Sequence, residues 1–163
     1  MRNIGLFVDV ASLYFAVKCK FGEGRKVDYS KLLTSVVTDD DTFLFTSKAY
    51  VLTHSNANPS KFLAALMHAG YDITQKTPRF IKKEKVTVTR NDNFDSQITI
   101  DVLRHLNQLS EVVLCVNSEN LLPLVEAIKQ DGRRVTIYSC GIPNVLKTAA
   151  NSYIEITEDI LLS

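Results

Sequence analysis

Ile4-Gly5-Leu6-Phe7-Val8-Asp9 is an uncharged, mostly apolar run closed by a carboxylate. A short continuous apolar run of this kind reads as a strand buried on both faces, the mark of a parallel sheet covered by helices. Glu111 to Val116 (EVVLCV) is a second such run, far along the chain. In open α/β sheets ligands bind in the crevice outside the carboxyl ends of the strands, so Asp9 stands where a ligand would be met.

Working outward from Asp9, strand and helix patterns alternate almost to the end. A helix is expected from Ser12 to about Lys20, and another from Tyr29 to Val37 with Asp28 as its N-cap. A strand around Phe43 to Thr53 precedes a helix opened by Pro59, running through His68 and closed by Gly70. Residues 72–90 alternate in the manner of extended structure, a hairpin or an edge strand. From Asp95 to Leu109 the positions Ile98, Val102, Leu106 and Leu109 form one apolar stripe of a helix. Beyond the strand at 111–116, Leu121 to Gln130 reads as a helix and Arg134 to Tyr138 as a strand. Pro143 to Asn151 then reads as a helix and Tyr153 to Thr157 as a strand. The alternation predicts one domain over 1–163, a three-layer α/β/α sandwich around a mostly parallel sheet.

Composition excludes several classes. With 19 Lys and Arg against 18 Asp and Glu the net charge is +1, so any nucleic-acid binding must come from a local patch. The apolar runs are far shorter than a membrane span and the N-terminus lacks a signal-peptide layout, so no membrane role is expected. Cys19, Cys115 and Cys140 are odd in number and lack metal-ligand spacing, which fits a reducing cytoplasm. No G-x-G-x-x-G follows the first strand, no G-x-x-x-x-G-K-[ST] occurs, and position 11 is Ala11 where a phosphoaspartyl enzyme needs a second acid.

Asp95 and Asp101 are the other carboxylates placed to join Asp9. Carboxylates gathered in one crevice resist ionising together unless a cation neutralises them, and hard oxygen ligands suit magnesium or manganese. Each has a plainer reading as well. Asp9 suits a turn at a strand end, Asp95 an N-cap, and Asp101 a helical surface pair with Arg104 or His105. Lys76, Arg79, Lys82, Lys83, Lys85 and Arg90 form a local basic segment. Such a segment either contacts phosphate or protects an edge strand.

The order of motifs resembles the NYN domains, a branch of the PIN-like nuclease fold. Phe7-Val8-Asp9-Val10-Ala11-Ser12-Leu13-Tyr14 is similar to the family's opening F-I-D-G-x-N-L-Y. Asp95 and Asp101 keep the six-residue spacing of its middle motif, K-G-V-D-V-x-L-x-V-D. Val116 to Val125 aligns without a gap to its third motif, S-G-D-S-D-F-x-P-L-V, and the chain from Gly132 to Ile156 resembles its last strand, helix and strand. The resemblance implies Asp9, Asp95 and Asp101 as catalytic metal ligands for magnesium or manganese. It further implies a substrate pocket of Ser12, Asn117, Ser118, Glu119 and Asn120, and RNA contact by Arg79, Lys82, Lys83, Lys85 and Arg90. The departures fall on chemistry. Ser12 replaces an asparagine, Asp92 a lysine, and Ser118 and Asn120 two aspartates. Two functions follow as expectations: a metal-dependent endoribonuclease with an attenuated site, or an inactive module of the same fold binding RNA, a protein partner or a second copy.

Overall fold

The computed structural model describes residues 1–53, 60–77, 80–83, 86–89 and 93–163, with 60, 80–83 and 86–89 described by backbone alone. In chain order the elements are β1 (Arg2–Asp9), α1 (Val10–Phe21), α2 (Tyr29–Val36), β2 (Thr42–Leu52), α3 (Ser60–Ala69), β3 (Asp72–Lys76), β4 (Phe80–Lys83) and β5 (Val86–Thr89). They continue as α4 (Asp95–His105), β6 (Glu111–Cys115), α5 (Leu122–Gln130), β7 (Arg134–Ser139), α6 (Asn144–Ala149) and β8 (Ser152–Glu155).

Among the described residues six strands form an all-parallel sheet in the order β3-β2-β1-β6-β7-β8. The two apolar runs are neighbours at its centre, with Ile4 opposite Glu111 and Val8 opposite Cys115. The sheet grows from β1 through β2 to β3 and then resumes on the other side of β1 with β6. The connections leaving β1 and β6 therefore run to different places, opening a crevice at the carboxyl ends of these two strands.

Alternating side chains of the central strands feed two cores. Ile4, Leu6, Val8, Val113 and Cys115 pack toward Leu13 and Val17 of α1, Leu32 of α2 and Leu66 of α3. Phe7, Val112, Leu114, Val135 and Ile137 pack toward Ile98 and Val102 of α4, Val125 and Ile128 of α5 and Leu146 of α6. Helices thus cover both faces, as two-sided apolar strands require. Burying each large apolar side chain contributes roughly 1.5–3 kcal/mol. Gly5 permits a close approach on the second face: a Cβ there would lie 2.8 Å from both Leu109 Cδ1 and Phe7 Cε2.

Differences from the sequence reading sit at element ends. The helix expected to reach Leu109 stops at His105, and Leu106–Gln108 tighten into a 3-10 turn that drops Leu109 into the core. Both readings of residues 72–90 occur: β3 is an edge strand of the main sheet, and β4 pairs antiparallel with β5. Asp28 caps α2 as expected, accepting from the amides of Ser30 and Lys31. Gly70 follows α3 at φ +113°, a conformation L-residues rarely adopt. Pro59, expected to open α3, lies outside the described residues. Among the described residues no helix is long and apolar enough to cross a membrane.

Candidate active site

Asp9 is the last residue of β1 and the N-cap of α1, and only 4% of it is exposed. Its Oδ1 accepts from the Ser12 amide at 3.3 Å. Burial pushes its carboxyl above the usual range. The Ser12 amide and hydroxyl pull it back down, and the nearby Asp95 charge pushes it up again. The plainer reading of Asp9 is therefore seen directly, since it caps α1, and Asp95 is near enough for its charge to be felt.

Asp95 opens α4, but Phe94 takes the N-cap position and the Asp95 side chain does not cap the helix. Its Oδ2 instead accepts from Ser118 Oγ at 2.8 Å and from Asn120 Nδ2 at 3.4 Å. Its Oδ1 is buried and has no hydrogen-bond partner among the described residues. Ser118 is held in turn as the cap of the 3-10 turn Glu119–Leu121, its Oγ accepting from the Asn120 amide at 3.2 Å. The two residues standing where the family has aspartates are therefore donors to Asp95 rather than a separate wall facing it.

Asp101 goes elsewhere. Its Oδ2 accepts from the Tyr50 hydroxyl at 2.6 Å, and Tyr50 is fully buried in β2 against Phe94. Burial and this bond push the Tyr50 phenol far above its ordinary range. Positions six apart on a helix of 3.6 residues per turn do not share a face. Among the described residues no group of three or more His, Cys, Asp or Glu side chains comes close enough to hold a metal, so the three-carboxylate cluster does not assemble. The expected surface pair is also absent among the described residues: His105 Nδ1 meets the Asp101 carbonyl at 2.8 Å, not its carboxylate.

The remaining residues divide between two clefts. One, of about 670 Å³, is lined by Ser12, Phe15, Lys20, Asn117, Gly141 and Glu155 among others. The other, of about 500 Å³, is lined by Asn93, Asp95, Ser96, Thr99, Ile100 and Asn120. Asn117 spends its amide on β7, accepting from Ser139 Oγ at 2.6 Å and donating to the Cys140 carbonyl at 3.2 Å. Glu119 is exposed. Of the basic segment, Lys76 donates to the carbonyl of Asn93, a residue that lines the second cleft, at 2.8 Å and lies over the Phe94 ring. Arg79, Lys85 and Arg90 lie outside the described residues, as does Asp92, and Lys82 and Lys83 are described only as members of β4. Tyr50 is the site neighbour that sequence reading missed. A tyrosine inside an apolar strand was the available signal, since a buried phenol needs a hydrogen-bond partner.

Asp9 thus ends a central strand of the parallel sheet and Asp95 begins α4 close by. The NYN domain family model matches residues 3–158, nearly the whole chain. The chain belongs to the NYN family, within the PIN-like nuclease superfamily. Its fold is similar to the crystal structure of a protein of unknown function from Vibrio parahaemolyticus, with a TM-score of 0.84 and 21% identity, covering 99% of this chain and 96% of that one. No curated protein matches the sequence.

Proposed function

We propose that the protein is a ribonuclease that holds one divalent cation weakly between Asp9 and Asp95. The observation that carries this reading is Asp95 Oδ1, a buried carboxylate oxygen without a partner among the described residues, close enough to the buried Asp9 to influence its charge. An orphaned charged acceptor in a protein interior is costly, and a hard cation satisfies it. The donor set suits magnesium or manganese in type and is short in number. A bound ion would supply a polarised phosphate and a more acidic water. The chain's own residues supply the rest. Ser118 and Asn120 orient Asp95, and the Ser12 amide orients Asp9. RNA is the substrate class implied by the family, and the lysines of 82–85 carry the densest positive charge in a nearly neutral chain.

The Tyr50–Asp101 bond favours a second reading, a module that keeps the fold and binds RNA or a protein without hydrolysis. Calorimetry with manganese separates the two, with Asp9→Asn as the control. Heat of binding that vanishes in the variant, together with manganese-dependent cleavage of single-stranded RNA by the parent, supports the ribonuclease. Equal traces for parent and variant overturn it.

A further inference from the structure

The larger cleft has a chemistry that the carboxylate pair does not use. Ser12, Phe15, Ala16, Cys19 and Lys20 follow helical spacing and line one side of it. The core takes Val10, Leu13 and Val17 from the same helix, and Ala16 is shared by core and cleft. Phe15 is 61% exposed and meets Tyr14, itself 47% exposed, edge to face at 5.5 Å between ring centres. The opposite side is Asn117, Cys140, Gly141 and Glu155. The charges along the cleft cancel, because Lys20 Nζ donates to Glu155 Oε2 at 2.6 Å and to the Ile156 carbonyl at 2.7 Å. The Asn117 amide is already spent on Ser139 and Cys140.

A neutral cleft with an aromatic edge does not suit a phosphate, but it suits a flat, uncharged ring. Its position says which one. Ser12 lines the cleft and its amide holds Asp9, while Asn117 lines the cleft and precedes Ser118, which holds Asp95. The cleft therefore borders the candidate site through Ser12 and Asn117. We infer that it receives an unpaired nucleobase of the RNA strand whose phosphate meets Asp9 and Asp95, with the base stacked on Phe15. The inference rests on the RNA reading above, and every base offers a π-face, so it implies selection for single strands more than for sequence.

The test uses the full chain with calcium in place of manganese, a hard cation that can bridge phosphate to the carboxylates. The strand is checked to be uncleaved, so that binding is read apart from cleavage. Fluorescence anisotropy compares a short labelled single-stranded oligoribonucleotide with a matched strand of abasic residues. The parent should bind the strand with bases roughly tenfold or more tighter. Phe15→Ala should remove that preference and Phe15→Trp should keep it. Phe15 is largely exposed, so the fold should survive, and Phe15→Leu gives a second variant with apolar bulk and no ring. A parent that does not distinguish the strands, or binds neither, overturns the inference. So does a Phe15→Ala protein that binds as the parent does, which would leave the cleft to an apolar protein side chain. A Phe15-dependent preference without manganese-dependent cleavage supports the cleft while removing the hydrolase. Cleavage with no dependence on Phe15 does the reverse.

Discussion

Ser118 Oγ donates to Asp95 Oδ2 at 2.8 Å, joining the turn after β6 to the first residue of α4. The bond uses one oxygen of the carboxylate and leaves the other, Oδ1, buried and without a partner among the described residues. Where the resembled motif has an acid, this chain carries a donor, which leaves less negative charge with which to capture a cation.

Replacing both donors with acids reverses that balance. In Ser118→Asp/Asn120→Asp, Asp95 loses two donors and gains two like charges, so the metal-free protein should melt below the parent. Manganese should raise the melting temperature of the double variant by more than that of the parent, since each added carboxylate offers an oxygen ligand. Melts with and without manganese measure both effects. Identical metal responses would show that positions 118 and 120 do not reach an ion site.

Asp9 should make stability fall as pH rises from acid toward neutral. Its folded pKa lies above the ordinary 3.8, chiefly through burial, so the folded state favours the protonated form. That contribution is fully present below the unfolded pKa and is lost as pH rises through the folded one. In metal-free buffer Asp9→Asn should therefore be more stable than the parent at pH 7. The gain should disappear as pH falls below about 3.8. Denaturant titrations across pH check the sign.

Tyr50→Phe should destabilise the protein by about 1–3 kcal/mol, because it leaves the Asp101 carboxylate without its donor. It should change manganese affinity little, since Asp101 is not gathered with Asp9 and Asp95. Chemical denaturation and manganese calorimetry on the same variant read the two effects separately. A large loss of metal affinity would place Asp101 in the site.

Gly5→Ala should cost about 1–3 kcal/mol by overpacking. The new methyl would lie 2.8 Å from Leu109 Cδ1 and Phe7 Cε2, both on buried side chains that must shift. The midpoint of urea unfolding should fall while the slope stays unchanged. A variant as stable as the parent would mean that Leu109 has an alternative rotamer in the core.

The fold was legible in the sequence because its signals are local. Two short apolar runs must be buried on both faces, and only a parallel sheet between helices does that. Caps and breakers such as Asp28 and Gly70 then mark where elements start or stop. Helix ends were less legible: the stripe from Ile98 to Leu109 suits a continuous helix, and packing converts its last turn to 3-10.

For the site, the sequence determined which residues stand at the motif positions and that two acids are missing. Tertiary structure decided what the carboxylates touch. Whether Asp95 caps its own helix or meets Ser118, and whether Asp101 meets Asp9 or Tyr50, depends on contacts between residues 23 and 51 positions apart. A carboxylate takes whichever donor the packed fold brings within about 3 Å. Spacing along one helix does not specify that donor, because it lies on a turn or a strand positioned by the sheet.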